Sequence, residues 1–305
     1  MKIVVTGSSG LVGTALVADM QRAGHTVCRL VRPGQTVGSA PTHGFDVNWN
    51  PATGELGGAA VGADAVVNLA GAPIAAGRWT ESRKQLLVSS RIDTTRSLVN
   101  ALARMGARPC VLISASAIGY YGNRGDEILK EDSPPGRNFL SEIAKAWEVQ
   151  AMKAEALGIR VVLARFGIIL AKGGGAFPKM LKPFRLGLGG KLGSGKQWMS
   201  WIMVEDVVNI LRLAIENGAV RGPINVVAPQ PVRNVEFTAA LASAVHRPAL
   251  FAAPAFALRV AMGEMADALL LASLRVLPEK LNRLNFPFAQ QDLAGALKSI
   301  LSLES

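Results

Sequence analysis

Two hydrophobic periods alternate along the chain. Short apolar runs rich in β-branched residues predict strands over 2–6, 26–31, 65–69, 110–114, 160–165 and 197–202. Amphipathic stretches between them predict helices over 12–23, 81–105, 141–157, 205–217 and 235–245. Strands separated by helices predict an α/β class fold, a doubly wound parallel sheet with helices on both faces. After about residue 171 the pattern loosens into loops rich in Gly, Pro and Lys that carry short elements. From Pro248 it turns helical and apolar, broken by Pro254, Pro278 and Pro287.

The first predicted strand runs into a T-G-x-x-G-x-x-G turn, Thr6 to Gly13, and then into the first helix. Gly7 supplies a tight turn, Gly10 lets the main chain approach a pyrophosphate, and Gly13 lets the helix pack on the strand. Free N–H groups at the helix start then face the phosphates. Cofactor contacts are expected from Thr6, Gly7, Ser9, Gly10, Leu11, Val12 and Gly13. A glycine turn alone is a weak signal, but the strand before it and the helix after it supply the context. The apolar run 65–69 ends in Leu69, Ala70 and Gly71, small enough for a cofactor to lie against the backbone. Those three, and Ser114 at the end of the next strand, are expected beside it. The arrangement is a Rossmann-type nucleotide domain over 1–220, with substrate-side insertions from about 171. A smaller, mostly helical C-terminal domain is expected over 248–301.

The second strand narrows the cofactor. It reads Val27-Cys28-Arg29-Leu30-Val31 and is followed by Arg32. The carboxylate that would bind the ribose hydroxyls of NAD is missing, and a guanidinium stands next to its place. That suits a 2′-phosphate, so NADP(H) is expected. If Arg29 and Arg32 are merely exposed, the missing carboxylate still argues against NAD.

Half of the 305 residues are hydrophobic, enough for a large core, and the net charge is +11. No acidic residue occurs between Glu155 and Glu205, where Arg160, Arg165, Lys172, Lys179, Lys182, Arg185, Lys191 and Lys196 fall. This is either a solvated basic face or a pocket or lid that draws in a phosphorylated or carboxylated molecule. No RNA-reading motif or aromatic–basic interleaving accompanies it, which argues against nucleic acid. Cys28 and Cys110 lie in apolar strand-like runs and read as buried free thiols. The lack of a disulfide framework points to a reducing compartment. His25, His43 and His246 show no ligand spacing, so no metal is expected. The apolar stretch 249–276 is interrupted by Arg259, Glu264, Asp267 and Arg275, too broken for a membrane span. No signal peptide is read before the first strand, and a cytoplasmic location is expected. Self-association is left open. The segment Gly190 to Gln197 nearly spells G-x-x-x-x-G-K-[ST], but Gln197 lacks the hydroxyl that holds Mg²⁺ and no buried strand precedes it. An NTPase is not expected; a flexible loop offering N–H groups and two lysines to an anion is.

Together these features resemble the short-chain dehydrogenase/reductase superfamily, in its extended, epimerase-like branch. The runs Arg78 to Glu81, Ser90 to Arg96, Ser114 to Gly122, Gly193 to Ile202 and Arg275 to Leu281 resemble one subfamily within it. These are the atypical epimerase family proteins, which carry a small C-terminal domain of unknown function. The resemblance covers nearly the whole chain. It implies a Rossmann fold and NADP(H) and leaves the reaction open. Some members carry a cell-division-inhibitor name, but nothing in these residues shows a partner surface.

Active members of the superfamily use a Ser or Thr and then Tyr-x-x-x-Lys on a helix, where the lysine lowers the tyrosine pKa. Ser116 matches the serine. If Glu148 matches the glutamate after the lysine, Leu140 takes the tyrosine place and Ala144 the lysine place, and neither transfers a proton. A slide of one residue gives Ser141 and Lys145 at i, i+4. The candidates left are Ser116, Tyr120, Tyr121, Glu131 and Lys145, with Ser116, Tyr120 and Lys145 as the expected catalytic set. Ser200 and Trp201 are further candidates to face the ligand. Two functions follow. One is an NADP(H)-dependent oxidoreductase or epimerase acting on a small anionic molecule. The other is a non-catalytic NADPH sensor working through a protein partner. The missing pair favours the sensor; the retained serine and the basic stretch favour the enzyme.

Overall fold

The computed structural model describes residues 1–32, 43–56 and 58–302. Its strands are β1 (Lys2–Thr6), β2 (Thr26–Val31), β3 (Gly44–Asn50), β4 (Glu55–Leu56), β5 (Ala65–Asn68), β6 (Val111–Ala117) and β7 (Ile128–Leu129). They continue as β8 (Arg160–Phe166), β9 (Ile168–Leu170), β10 (Trp198–Met199), β11 (Trp201–Met203), β12 (Gly222–Val226), β13 (Val232–Arg233) and β14 (Arg275–Val276). The helices are α1 (Leu11–Arg22), α2 (Glu81–Ala103), α3 (Phe139–Met152), α4 (Phe177–Arg185), α5 (Val204–Glu216), α6 (Asn234–Ala244), α7 (Ala255–Met262), α8 (Glu279–Arg283) and α9 (Leu293–Ser302).

One sheet organises them, in the order β12-β8-β6-β5-β1-β2-β3-β4, all parallel except the edge strand β4. This is a Rossmann-like α/β fold. Successive side chains point to opposite faces. Ile3 and Val5 of β1 therefore join α1 and α5 in one core, with Leu16, Met20, Val207 and Leu211. Val4 joins the other, with Leu98 and Leu102 of α2 and Ala151 of α3. The chain runs outward from β1 through β2 and β3, then returns to place β5 on the other side of β1. That reversal opens a crevice at the carboxyl ends of β1 and β5, where ligands of such sheets sit.

The expected strand over 197–202 is split at Ser200 into β10 and β11. The Ser200 hydroxyl donates to Leu274 O at 2.8 Å and accepts from Val276 N at 2.9 Å. It ties the sheet side to β14, and Trp201 is fully buried in the third core beside α6 and α9. Neither faces a ligand crevice. The helix expected to reach 157 is α-helical only to Met152 and ends in a tighter turn. Cys110 is a correction: Cys28 is buried, but Cys110 stands exposed just before β6. The Gly190–Gln197 segment is tied into the C-terminal part of the fold. Leu192 N donates to Asn234 Oδ1, Leu192 bridges to Ala253, and the loop links α6 to the chain entering α7. Asp206, buried in the first turn of α5, accepts from the N–H of Ala289 and of Gln290 and fastens the approach to α9. No described helix is long and apolar enough to cross a membrane.

Candidate functional site

The glycine turn folds as its three glycines require. Gly7 has φ +65°, and a Cβ on it would stand 2.5 Å from Leu69 O. A Cβ on Gly13 would collide with the Gly7 carbonyl. Gly10 is different. Its φ is −77°, open to any residue, and an added Cβ would meet only Gly7 O, at a tight 3.3 Å. Gly10 is exposed at the N-cap of α1, which no side chain caps and whose first turn holds no acidic residue. By contrast Thr80 caps α2 and Asn138 caps α3. The N–H groups at the start of α1 are thus left for an anion approaching past Gly10. This is the cradle a dinucleotide pyrophosphate fits. Gly174 and Gly175, after β9, approach the Leu11 side chain beside it.

The carboxyl end of β5 is locked to that turn. Thr6 Oγ1 donates to Asn68 Oδ1 at 2.7 Å and accepts from the N–H of Leu69 and of Ala70. Asn68 Nδ2 donates to Thr95 Oγ1 and to Ser114 Oγ, and Trp147 Nε1 donates to the same Thr95 hydroxyl. Thr6, Gly7, Gly13, Leu69, Ala70 and Ser114 are therefore brought together, with Ser9, Gly10 and Gly71 exposed along the rim. Asn68 was missed. Its signal was a polar residue inside an otherwise apolar run.

At the second strand the two arginines part. Arg29 is buried and makes a two-pronged pair with Asp46 of β3, at 2.6 and 2.8 Å. Arg32 is exposed directly beyond β2.

Behind the crevice lies a buried polar network. The Ser116 hydroxyl donates to Glu148 Oε1 at 2.6 Å. Both Glu148 oxygens accept from Arg165, through Nε and Nη2, each at 2.8 Å. Arg165 Nη1 donates to the Tyr121 hydroxyl and to Glu131 O. The guanidinium lies 3.6 Å from the centre of the Tyr120 ring. Tyr121 in turn donates to Asn225 Oδ1 at 2.6 Å. Glu131 Oε1 accepts from Asn225 N and Lys280 N, joining β12 to α8. Burial would lower the Arg165 pKa, but its interactions with Glu148 and Tyr121 together outweigh that and hold it above the ordinary value. Burial pushes the Tyr121 phenol up to about 12 despite Arg165. Tyr121 and Glu131 are thus structural ties. Tyr120 is half-buried, and its phenol is the one not engaged in this lattice.

On α3 the residues in the Tyr-x-x-x-Lys places are apolar. Leu140 packs towards Gly119, and Ala144 is buried. The shifted pair does not form a site. Ser141 is buried and bonded to Gly119 O and Asn138, whereas Lys145 is exposed. Glu148 and Arg165 were not singled out as a pair. Glu148 entered only as a match to the glutamate after the superfamily lysine and Arg165 as one of the basic stretch, and only the fold brings them together.

Residues 3–227 match the model of the NAD dependent epimerase/dehydratase family. The chain belongs to that family. Residues 253–300 match a second model, a domain of unknown function, DUF1731. An epimerase family protein of Mycobacterium bovis, Mb2239, is 43% identical over 296 residues, covering 97% of this chain and 96% of the relative. The Bacillus subtilis epimerase family protein YfhF is 38% identical over 304 residues, covering 99% and 98%. Among solved structures, human epimerase family protein SDR39U1 with NADPH superposes with a TM-score of 0.88 at 32% identity, covering 99% of both chains. A Corynebacterium glutamicum nucleoside-diphosphate sugar epimerase gives 0.80 at 34% identity, covering 99% of this chain and 58% of that one.

Proposed function

We propose that this epimerase family chain is an NADP(H)-dependent oxidoreductase or epimerase acting on a small molecule with an anionic group. The observation that carries the reading is the uncapped α1 N-terminus over an exposed Gly10, with Arg32 rather than a carboxylate beyond β2. Thr6 to Gly13, Leu69 to Gly71 and Ser114 would hold the dinucleotide, and Arg32 would select its 2′-phosphate. NADPH in the human SDR39U1 structure supports that choice over NAD. The bound cofactor would supply or accept hydride. Residues 1–220 would form the nucleotide domain and 248–301 a smaller substrate-side domain. Two cysteines without a disulfide suit a cytoplasmic protein.

Ser116 commits its proton to Glu148, which leaves its oxygen lone pairs to accept from a substrate hydroxyl. Tyr120, seated on Arg165, is the phenol available to move a proton at a substrate oxygen. Lys145, exposed on α3, has no contact that would tune Tyr120. A screen of carbonyl compounds and sugar nucleotides, followed through NADPH absorbance, tests the reading. Ser116→Ala and Tyr120→Phe should each cut turnover far more than NADPH affinity. A second reading, an NADPH sensor without turnover, rests on Leu140 and Ala144. It is adopted if no compound drives oxidation above the protein-free rate.

A further inference from the structure

Two guanidiniums converge on the turn that follows β5. Arg83, in the first turn of α2, donates through Nη2 to Pro73 O. Arg91, two turns on, donates through Nη2 to Ala72 O at 3.0 Å and through Nη1 to Leu87 O at 3.2 Å and Ser90 Oγ at 3.4 Å, so among the described residues its Nε is the donor left without a hydrogen bond. The Arg91 guanidinium also stacks over Trp147, 5.4 Å from the ring centre. It lies 3.3 Å from where a Cβ on Gly71 would stand. Gly71 is exposed at the carboxyl end of β5, beside the reversal of strand order.

Neither arginine pairs with a carboxylate among the described residues. The two fully buried arginines are neutralised, Arg29 by Asp46 and Arg165 by Glu148, whereas Arg83 and Arg91 are half-buried. Arg160 also lacks an acidic partner, but three carbonyl bonds occupy its guanidinium. Arg83 is not so satisfied: its Nε is buried without a hydrogen-bond partner. Burial, and then the like charge of Arg83, bring the Arg91 guanidinium down to about 10. A partly desolvated Arg91 beside the like charge of Arg83, whose Nε is an unmet buried donor, is a costly arrangement unless an anion joins them. The Arg83 guanidinium, a planar fork with its Nε unmet, suits the oxygens of a carboxylate or phosphate.

The place is right for a substrate. The turn continues to Arg78, whose Nη2 donates to Val260 O of α7 at 2.8 Å, and Lys84 pairs with Glu264 just beyond α7. The arginines therefore stand where the turn after β5 and the start of α2 meet α7. We propose that Arg83 and Arg91 form the anion-binding site that takes the carboxylate or phosphate group of the substrate. This rests on the reading of the crevice as the NADP(H) site. It moves anion selection away from residues 156–204, where Arg160 and Arg165 are committed to internal contacts.

The test uses the full chain saturated with NADPH and inorganic phosphate as probe, followed by calorimetric titration. NADPH binding to the wild type is read first. Its absence defeats the proposed function, whereas a holoprotein that ignores phosphate defeats only this inference. Saturable phosphate binding is expected, weakened tenfold or more in Arg83→Gln and in Arg91→Gln, with NADPH affinity within twofold of wild type. Phosphate affinity unchanged in both variants overturns the proposal. So does a parallel fall in NADPH affinity, which would assign the guanidiniums to the phosphates of the cofactor. If a glutamine variant does not fold, Arg83→Lys and Arg91→Lys keep the charge and remove the fork. A loss of threefold or more then supports the site, and unchanged affinity overturns it.

Discussion

Ser116 of β6 and Glu148 of α3 share a 2.6 Å hydrogen bond in the interior, with the serine as donor. The same carboxylate neutralises Arg165, so one buried acid joins the candidate catalytic strand end to the lattice beneath it. Removing one partner of a buried ion pair leaves an uncompensated charge and costs about 3–5 kcal/mol. Glu148→Gln should therefore lower unfolding free energy by about that amount, while Ser116→Ala should cost no more than about 1–3 kcal/mol. Urea denaturation of the two variants checks the order. A Glu148→Gln protein as stable as wild type would show the pair to be dispensable.

Gly10 and Gly13 should fail in different ways. Gly10→Val should fold and lose nucleotide binding, because its φ suits any residue and a slight shift of the Gly7 carbonyl admits a side chain that then blocks a pyrophosphate. Gly13→Ala should lose stability by about 1–3 kcal/mol, because its Cβ meets the Gly7 carbonyl. Thermal melts beside NADPH titrations separate the two. Retained nucleotide affinity in folded Gly10→Val would displace the phosphates from this turn.

Alkaline pH should weaken the fold in a defined window. Burial foremost pushes the Cys28 thiol up to about 11 from 9.0 and the Tyr121 phenol up to about 12 from 10.0. A raised pKa means the folded state holds its proton more tightly. The stability is full below the unfolded value and lost as pH rises through the folded one. Unfolding free energy should thus decline between about pH 9 and 12. Tyr121→Phe is expected to flatten the upper part of that decline, whatever its effect on the overall level. A wild-type urea midpoint constant across the window would refute the burial of both groups.

The parallel sheet and the glycine turn were legible because their signals are local. β1, β2 and β5 are short apolar runs, and the turn spells out its own backbone demands. β12 was not among the predicted strands: it opens on Gly222 and Pro223, which weaken any strand signal, and it is a strand because β8 pairs with it. α4 hid within a Gly- and Lys-rich stretch, with Pro178 and Pro183 inside it. The candidate site divides the same way. The turn from Thr6 to Gly13 and the strand end from Leu69 to Gly71 are local in the chain, so the sequence suffices to propose them. Glu148 and Arg165 could not. A carboxylate on a helix and a guanidinium on a strand look like surface charges until packing strips their water. Arg83 and Arg91 lay in or beside the recurring strings around α2, with nothing local to show that both would turn onto residues 72 and 73.

The central claim is an NADP(H) site at the crevice between β1 and β5, with Arg32 reading the 2′-phosphate. Parallel calorimetric titration of wild type and Arg32→Ala with NADPH and with NADH tests it most directly. A charge-assisted phosphate contact is worth on the order of 1.5–3 kcal/mol, which is roughly tenfold or more in affinity. Wild type should bind NADPH tighter than NADH by at least that factor, and Arg32→Ala should lose most of the preference with NADH affinity nearly unmoved. Equal wild-type affinity for the two cofactors, or binding of neither, would contradict the account.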